Sequence, residues 1–75
     1  AAFYTAEQRL SKYIYETAYK NFFSDNMTDV AATIGTSYRH LYRLLGDLSK
    51  AGILEKDEDG YWIRKPEELW AKTVI

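Results

Sequence analysis

The sequence predicts a mainly α-helical domain that is completed by a small β-hairpin. Residues 27–51 read MTDVAATIGTSYRHLYRLLGDLSKA, in which a short helical pattern, a glycine and a second helical pattern follow one another. A longer helical pattern precedes this segment, and the turn-forming pair Asp59-Gly60 separates two short apolar segments after it. Three helices followed by a hairpin are the element order of a winged helix-turn-helix, a three-helix bundle plus a wing. A three-helix bundle with an unrelated hairpin is the alternative.

The composition fits one compact domain spanning residues 1–75. The chain is 47% hydrophobic and 28% charged, and a core of this size gives only marginal stability. It has no cysteine, which excludes a disulfide staple, a zinc finger and every thiol mechanism. No apolar run approaches transmembrane length, and the N-terminus lacks a basic region followed by an apolar run. We therefore expect a soluble chain that acts in the cytoplasm.

The first helix is predicted from about Ala6 to Phe23. Thr5 and Gln8 have the spacing of a capping box at its start. One apolar stripe runs along the helix with i,i+4 spacing and comprises Leu10, Ile14, Ala18 and Phe22. The polar segment 24–26 then ends this helix before the next one begins.

Capping residues bracket the two central helices. Thr28 is suited to cap the first of them, and Gly35 is suited to end it because the left-handed C-terminal position favours glycine. Ser37 is predicted to cap the second, which runs to about Ala51. The apolar face of this second helix carries Leu41, Leu44, Leu45 and Leu48. The residues that point away from the core are Tyr38, Arg39, Tyr42 and Arg43. A helix that reads DNA is presented in this way.

Two short strands and a terminal helix are predicted after the central helices. Gly52 ends the second central helix, Ile53-Leu54 begins one strand, and residues 61–63 return as the other. Pro66 suits the first position of a short closing helix.

The segment from Ala31 to Ala51 and its continuation resemble the C-terminal DNA-binding domain of the Crp–Fnr family of bacterial transcription regulators. The features that carry the resemblance are Ala31 and Gly35 as AxxxG, Ser37 opening the recognition helix, Arg43 six residues later, Leu48, and Gly52-Ile53-Leu54 leading into the wing. The resemblance covers nearly the whole chain. It implies sequence-specific binding of double-stranded DNA and transcription regulation, with a recognition helix at about 37–51 in the major groove.

The resemblance also implies what the rest of the protein supplies. Family members usually place an effector-sensing domain and a long dimer helix before this domain. The chain is then the C-terminal fragment of a larger regulator, which forms a homodimer through the missing upstream region and binds a near-palindromic site. RNA polymerase is a further implied partner.

Six residues form the predicted DNA-binding site: Thr36, Ser37, Tyr38, Arg39, Tyr42 and Arg43. The two arginines are predicted to read base edges, since a bidentate arginine–guanine contact is worth about 1–3 kcal/mol of discrimination. The alternatives are a phosphate contact for Arg39 and a solvated ion pair with Asp47 for Arg43. The other four are predicted to position the DNA backbone. Ser37 is also the predicted N-cap, and Tyr38 is also suited to a thymine methyl group or to simple surface packing.

The site departs from the family pattern directly after its serine. Many family members carry an Arg-Glu pair there, where this chain has Tyr38-Arg39. The carboxylate that would accept a hydrogen bond from cytosine N4 is missing, and Arg39 offers donors that suit guanine instead. We therefore expect an altered sequence specificity.

The charge distribution indicates a local DNA-binding surface. Residues 1–50 hold six Lys/Arg against five Asp/Glu, giving +1, and residues 51–75 hold four against six, giving −2. The acidic strip of the hairpin comprises Glu55, Asp57, Glu58 and Asp59. This strip is predicted to lie away from the phosphates. It also leaves an alternative function open, a winged-helix module that binds a protein partner through its acidic wing.

The sequence predicts no enzyme, no cofactor and no metal site. His40 is the sole histidine and has no second ligand-type residue at a suitable spacing. No nucleophile–base pair or phosphate-binding loop appears, and a chain of this size encloses little of a substrate.

Overall fold

The computed structural model describes residues 4–73 and confirms the predicted fold class. Within that range, four helices accompany a small three-stranded antiparallel sheet. In chain order the elements are α1 (Ala6–Thr17), β1 (Phe22–Phe23), α2 (Met27–Ile34), α3 (Tyr38–Lys50), β2 (Leu54–Lys56), β3 (Tyr61–Ile63) and α4 (Pro66–Ala71). No helix between residues 4 and 73 is long and apolar enough to cross a bilayer.

One hydrophobic core joins the helices to the inner face of the sheet. The leucine face predicted for α3 is buried, and none of its four side chains is more than 7% exposed. Leu10 and Ile14 of α1 and Val30 of α2 are fully buried against it. The sheet and α4 close the core with Phe23, Leu54, Tyr61, Ile63 and Leu69. Burial of the leucine face fixes which side of α3 remains exposed.

The first helix is shorter than the sequence predicts. It ends at Thr17, and Ala18 is already extended with ψ of 143°. A tight turn follows, in which Lys20 and Asn21 have φ of 51° and 66° and the backbones of Tyr19 and Phe22 exchange two hydrogen bonds. The prediction that the helix reaches Phe23 is wrong because this turn reverses the chain and places residues 22–23 in a strand.

Strand β1 adds a third member to the predicted two-stranded wing. The order in the sheet is β1-β3-β2, with Phe22 opposite Trp62 and Leu54 opposite Ile63. On the outer face, the rings of Phe22 and Trp62 lie 4.6 Å apart. A two-stranded hairpin is marginal by itself, so pairing with β1 stabilises the wing and ties it to the end of α1.

The hairpin turn lies one residue earlier than its Asp59-Gly60 signal indicates. The backbones of Asp57 and Gly60 face each other across the turn, with the Asp57 N–H donating to the Gly60 carbonyl at 2.7 Å. The central residues are therefore Glu58 and Asp59, neither of which has a positive φ. Gly60 is required for another reason, since a Cβ there would lie 2.3 Å from the Phe23 carbonyl oxygen of β1.

Most of the predicted helix caps are present. Thr5 and Gln8 form the capping box, with the two reciprocal hydrogen bonds at 3.1 and 2.7 Å. Pro66 occupies the first turn of α4 as predicted. The cap of α2 differs, because Asn26 and not Thr28 accepts from the Asp29 N–H, at 3.1 Å. Starting the helix at Met27 lets this partly buried side chain pack against the core.

Candidate nucleic-acid interface

The exposed side of α3 carries the predicted DNA-binding residues. Tyr38 is 53% exposed and Tyr42 is 40% exposed, and both Arg39 and Arg43 are exposed. All four lie in the first two turns, opposite or beside the leucine face. The structure thus places these four side chains together on one solvent-facing surface, as the helical periodicity predicts.

The start of α3 is held by the turn that joins it to α2. Gly35 adopts the left-handed conformation with φ of 72° and ψ of 43°, and it ends α2. The Ser37 hydroxyl accepts a hydrogen bond from the His40 N–H at 3.0 Å, which makes Ser37 the predicted N-cap. Thr36 is half-buried and Ser37 is exposed directly before the first turn of the helix. Their hydroxyls lie at the helix end that attracts anions.

Both arginines are available for an external ligand. In the part of the chain that the structure describes, neither guanidinium has an ion pair or a hydrogen bond. The pair that the i,i+4 spacing allows between Arg43 and Asp47 does not form. A guanidinium has five N–H donors in a planar fork, which matches the paired acceptors of guanine or of a phosphate group.

The two tyrosines of this surface contact each other, a contact that the sequence analysis missed. Their ring centroids are 4.9 Å apart at 55°, and their hydroxyl oxygens are 3.5 Å apart, at the outer limit of a hydrogen bond. The Tyr38 hydroxyl, together with burial and the Tyr61 hydroxyl, raises the pKa of Tyr42 to about 12. Like any tyrosine, Tyr42 is protonated near neutral pH, and its hydroxyl can donate to an anionic group. The i,i+4 spacing of the pair is the signal that could have predicted this contact.

Gly46 is a further feature of the exposed side of α3 that the sequence analysis did not single out. It lies near the middle of a 13-residue helix, and a Cβ added there would meet nothing within 4 Å. Since the site has room for a side chain, Gly46→Ala is expected to stabilise the free domain by roughly 0.5–1 kcal/mol through the helix propensity of alanine. Thermal unfolding followed by circular dichroism measures the effect. An unchanged or lower melting temperature would contradict it.

Half of the acidic strip is paired inside the wing. The Arg64 Nε donates to Glu55 at 2.6 Å, and the Trp62 indole N–H donates to Asp57 at 2.8 Å. The Arg64 guanidinium also lies 5.5 Å from the Trp62 ring centroid, a cation–π contact. Glu58 and Asp59 at the tip are exposed, and the described structure gives their side chains no partner. The negative charge of the wing is therefore concentrated at its tip.

The indole hydrogen bond makes the stability of the wing depend on pH. It lowers the pKa of Asp57, with further contributions from the Asp59 and Glu58 backbone N–H groups and the Arg64 charge. A carboxyl with a lowered folded-state pKa stabilises the fold above its unfolded value of about 3.9, and the contribution disappears as pH falls through the folded-state pKa. Asp57→Asn is therefore expected to lower the melting temperature near neutral pH and to converge with the wild type in acid. Unfolding curves at several pH values measure the gap, and a gap independent of pH would contradict this account.

No part of residues 4–73 offers a metal site, since no three His, Cys, Asp or Glu side chains come together there. A groove of about 240 Å³ lies between α1 and α2, and its walls include Tyr4, Arg9, Tyr13, Thr33 and Ile34. None of the six predicted site residues lines this groove, although Ile34 is only two residues before Thr36.

The fold is similar to those of two solved proteins. The Thermus thermophilus catabolite activator protein matches with a TM-score of 0.80 and 20% identity, over 91% of this chain and 33% of that one. Reduced CprK, solved in the absence of any ligand, matches with a TM-score of 0.77 and 18% identity, over 93% of this chain and 38% of that one. The chain thus spans about a third of the length of these proteins. No curated protein matches the sequence.

The family assignment rests on the sequence itself. Residues 8–72 match the Crp-like helix-turn-helix domain, which is most of the chain. The element order, the left-handed Gly35 between α2 and α3 and the three-stranded wing agree with that assignment. The chain belongs to the family of Crp-like helix-turn-helix domains, which is a family of DNA-binding transcription regulators.

Proposed function

We propose that this chain binds double-stranded DNA sequence-specifically, with α3 in the major groove, and that it regulates transcription. The observation that carries the proposal is the pair of exposed arginines on the first two turns of α3, neither of which has a partner among the described residues. A side chain whose donors have no use inside the fold is free to bind acceptors outside it. Because the leucine face of α3 is buried, the opposite side of these turns faces solvent. The arginines are therefore presented on a rigid element.

Arg39 and Arg43 are the residues that we assign to base reading. The first two turns of α3 carry no carboxylate, so the acidic acceptor that commonly pairs with cytosine N4 is missing there. Guanine, with its N7 and O6 acceptors, is the base that this surface suits best. Contacts that position the DNA backbone are assigned to the hydroxyl-bearing residues of the surface, Thr36, Ser37, Tyr38 and Tyr42.

In this proposal the wing lies away from the phosphates. The free carboxylates of Glu58 and Asp59 at its tip would be repelled by a DNA strand. The same tip is the observation that favours the second candidate function, a contact with a basic protein surface. RNA polymerase is the partner that such a surface suggests for a transcription regulator.

Dimerisation belongs to the proposal for the whole regulator. This chain spans about a third of the length of the two solved relatives, and we place the homodimer contacts in a part of the regulator outside the described residues. Two copies would then bind half-sites about one helical turn apart. A single copy is expected to bind weakly and with marked salt dependence, because phosphate contacts release counterions.

An NMR titration of the isotopically labelled chain with a DNA duplex at low salt tests the proposal. Shifts confined to residues 36–43 and reversed by added salt are the expected result. Shifts centred on residues 55–59, or absent from 36–43, would overturn the DNA assignment and favour the protein-contact function.

A further inference from the structure

We propose that Arg9, on α1, is a positioning residue for DNA recognition, because its guanidinium fixes the turn that aims α3. This inference rests on the proposed function. Two hydrogen bonds carry it: Arg9 Nε donates to the Ile34 carbonyl at 2.7 Å, and Arg9 Nη1 donates to the Tyr4 carbonyl at 2.5 Å. The side chain thus joins the end of α2 to the segment that enters α1, across 25 residues of sequence.

The Ile34 carbonyl needs this donor because the helix end does not supply one. The last four carbonyls of a helix lack intrahelical partners. Here the Thr36 N–H donates to Ala31 at 3.0 Å and the Gly35 N–H donates to Ala32 at 3.3 Å, which is the Schellman pattern. Neither of these two hydrogen bonds uses the Ile34 carbonyl. Arg9 of the neighbouring helix α1 donates to this carbonyl and so completes the cap.

Charge points to the same role. A helix C-terminus is stabilised by a nearby cation, but the last turn of α2 contains no basic residue. The positive charge beside this C-terminus comes from α1, through Arg9. The contact is partly buried, where a charge-assisted hydrogen bond is stronger than in open solvent.

The consequence for α3 follows from chain distance. The carbonyl that Arg9 holds belongs to the residue directly before Gly35, and Ser37, the N-cap of α3, is only three residues beyond it. A shift of this turn would change the direction in which Arg39 and Arg43 leave the domain. Since base reading depends on placement to a fraction of an ångström, loss of the Arg9 contacts would weaken specific binding although Arg9 itself reads no base.

Arg9→Lys is the test variant, because lysine keeps the charge but lacks the planar fork that holds the Ile34 and Tyr4 carbonyls together. Lys12→Ala, an exposed change on the same helix, is the control. In the free 75-residue chain, Arg9→Lys is expected to shift the backbone amide signals of residues 35–38, whereas the control leaves them in place. Unmoved signals at 35–38 in Arg9→Lys would overturn the proposal.

DNA binding gives the second readout. The ratio of affinities for a selected and a random duplex is expected to fall roughly five- to tenfold in Arg9→Lys, the lower part of the range for one misplaced arginine–guanine contact, while the salt slope is retained. If Arg9→Ala loses affinity equally for both duplexes and its salt slope falls by about one, Arg9 contacts a phosphate directly. That result would overturn the proposal. A wild-type ratio in Arg9→Lys overturns this role alone. A wild-type chain that binds no duplex overturns the proposed function as well.

Discussion

Replacing Arg43 with alanine is expected to reduce the affinity for a selected duplex roughly 5- to 150-fold, the range that corresponds to the 1–3 kcal/mol of a bidentate arginine–guanine contact. Arg43 is exposed and makes no ion pair with Asp47 or any other described residue, so its removal leaves no internal group unsatisfied. Alanine is also the strongest helix former, and α3 should persist in the variant. The loss would therefore come from the interface and not from unfolding.

Fluorescence anisotropy with the selected duplex and with a random one measures the effect. Arg43→Ala should lose affinity mainly for the selected duplex, whereas Lys12→Ala, which removes the same charge from α1, should leave the ratio of the two affinities unchanged. Equal binding of the selected duplex by wild type and Arg43→Ala, at unchanged melting temperature, would contradict the assignment of α3 as the recognition helix.

The same measurement on Arg39→Ala separates its two interpretations. A base-reading role predicts a loss concentrated on the selected duplex. A phosphate contact predicts a uniform loss on both duplexes and a salt slope smaller by about one.

The helix-turn-helix could be predicted from the sequence because its signals are local. The capping serine, the left-handed glycine and the leucines of α3 all act within a few residues of one another. Once the leucine face is assigned, the exposure of Tyr38, Arg39, Tyr42 and Arg43 follows from 3.6-residue periodicity. The family resemblance depends on this segment, and the match over residues 8–72 confirms it.

Two of the features missing from the prediction, strand β1 and the Arg9 contact, depend on distant partners. Phe22 continues the apolar stripe of α1, so helical periodicity extends the helix through it. Its strand pairing is with Trp62, 40 residues further along the chain. The one available signal was Asn21, a residue type that tolerates the left-handed turn conformation. The contact of Arg9 with Ile34 is equally remote in sequence and only the fold brings it together.

Gly60→Ala is expected to destabilise the domain by about 1–3 kcal/mol or more, the usual range for forcing an extra carbon into a closed space. The added Cβ would lie 2.3 Å from the Phe23 carbonyl oxygen and 3.1 Å from the Ser24 Cα. Both are backbone atoms, which cannot move aside as a flexible side chain can. Relief requires β1 to separate from β3, and with it the buried Phe23 ring leaves its place in the core.

Gly46→Ala provides the matched control, since it makes the same chemical change where nothing lies within 4 Å of the new carbon. Chemical denaturation of the two variants should therefore give free energies of unfolding that change in opposite directions from the wild type. The Trp62 fluorescence should also change in Gly60→Ala, because its ring packs on Phe22 at the β1–β3 pair. If the free energy of unfolding of Gly60→Ala equals that of the wild type, β1 does not pack as closely against residue 60 as described. Gly60 then has a role only in the hairpin turn. If both variants are stabilised equally, helix and turn propensity outweigh the close approach of β1.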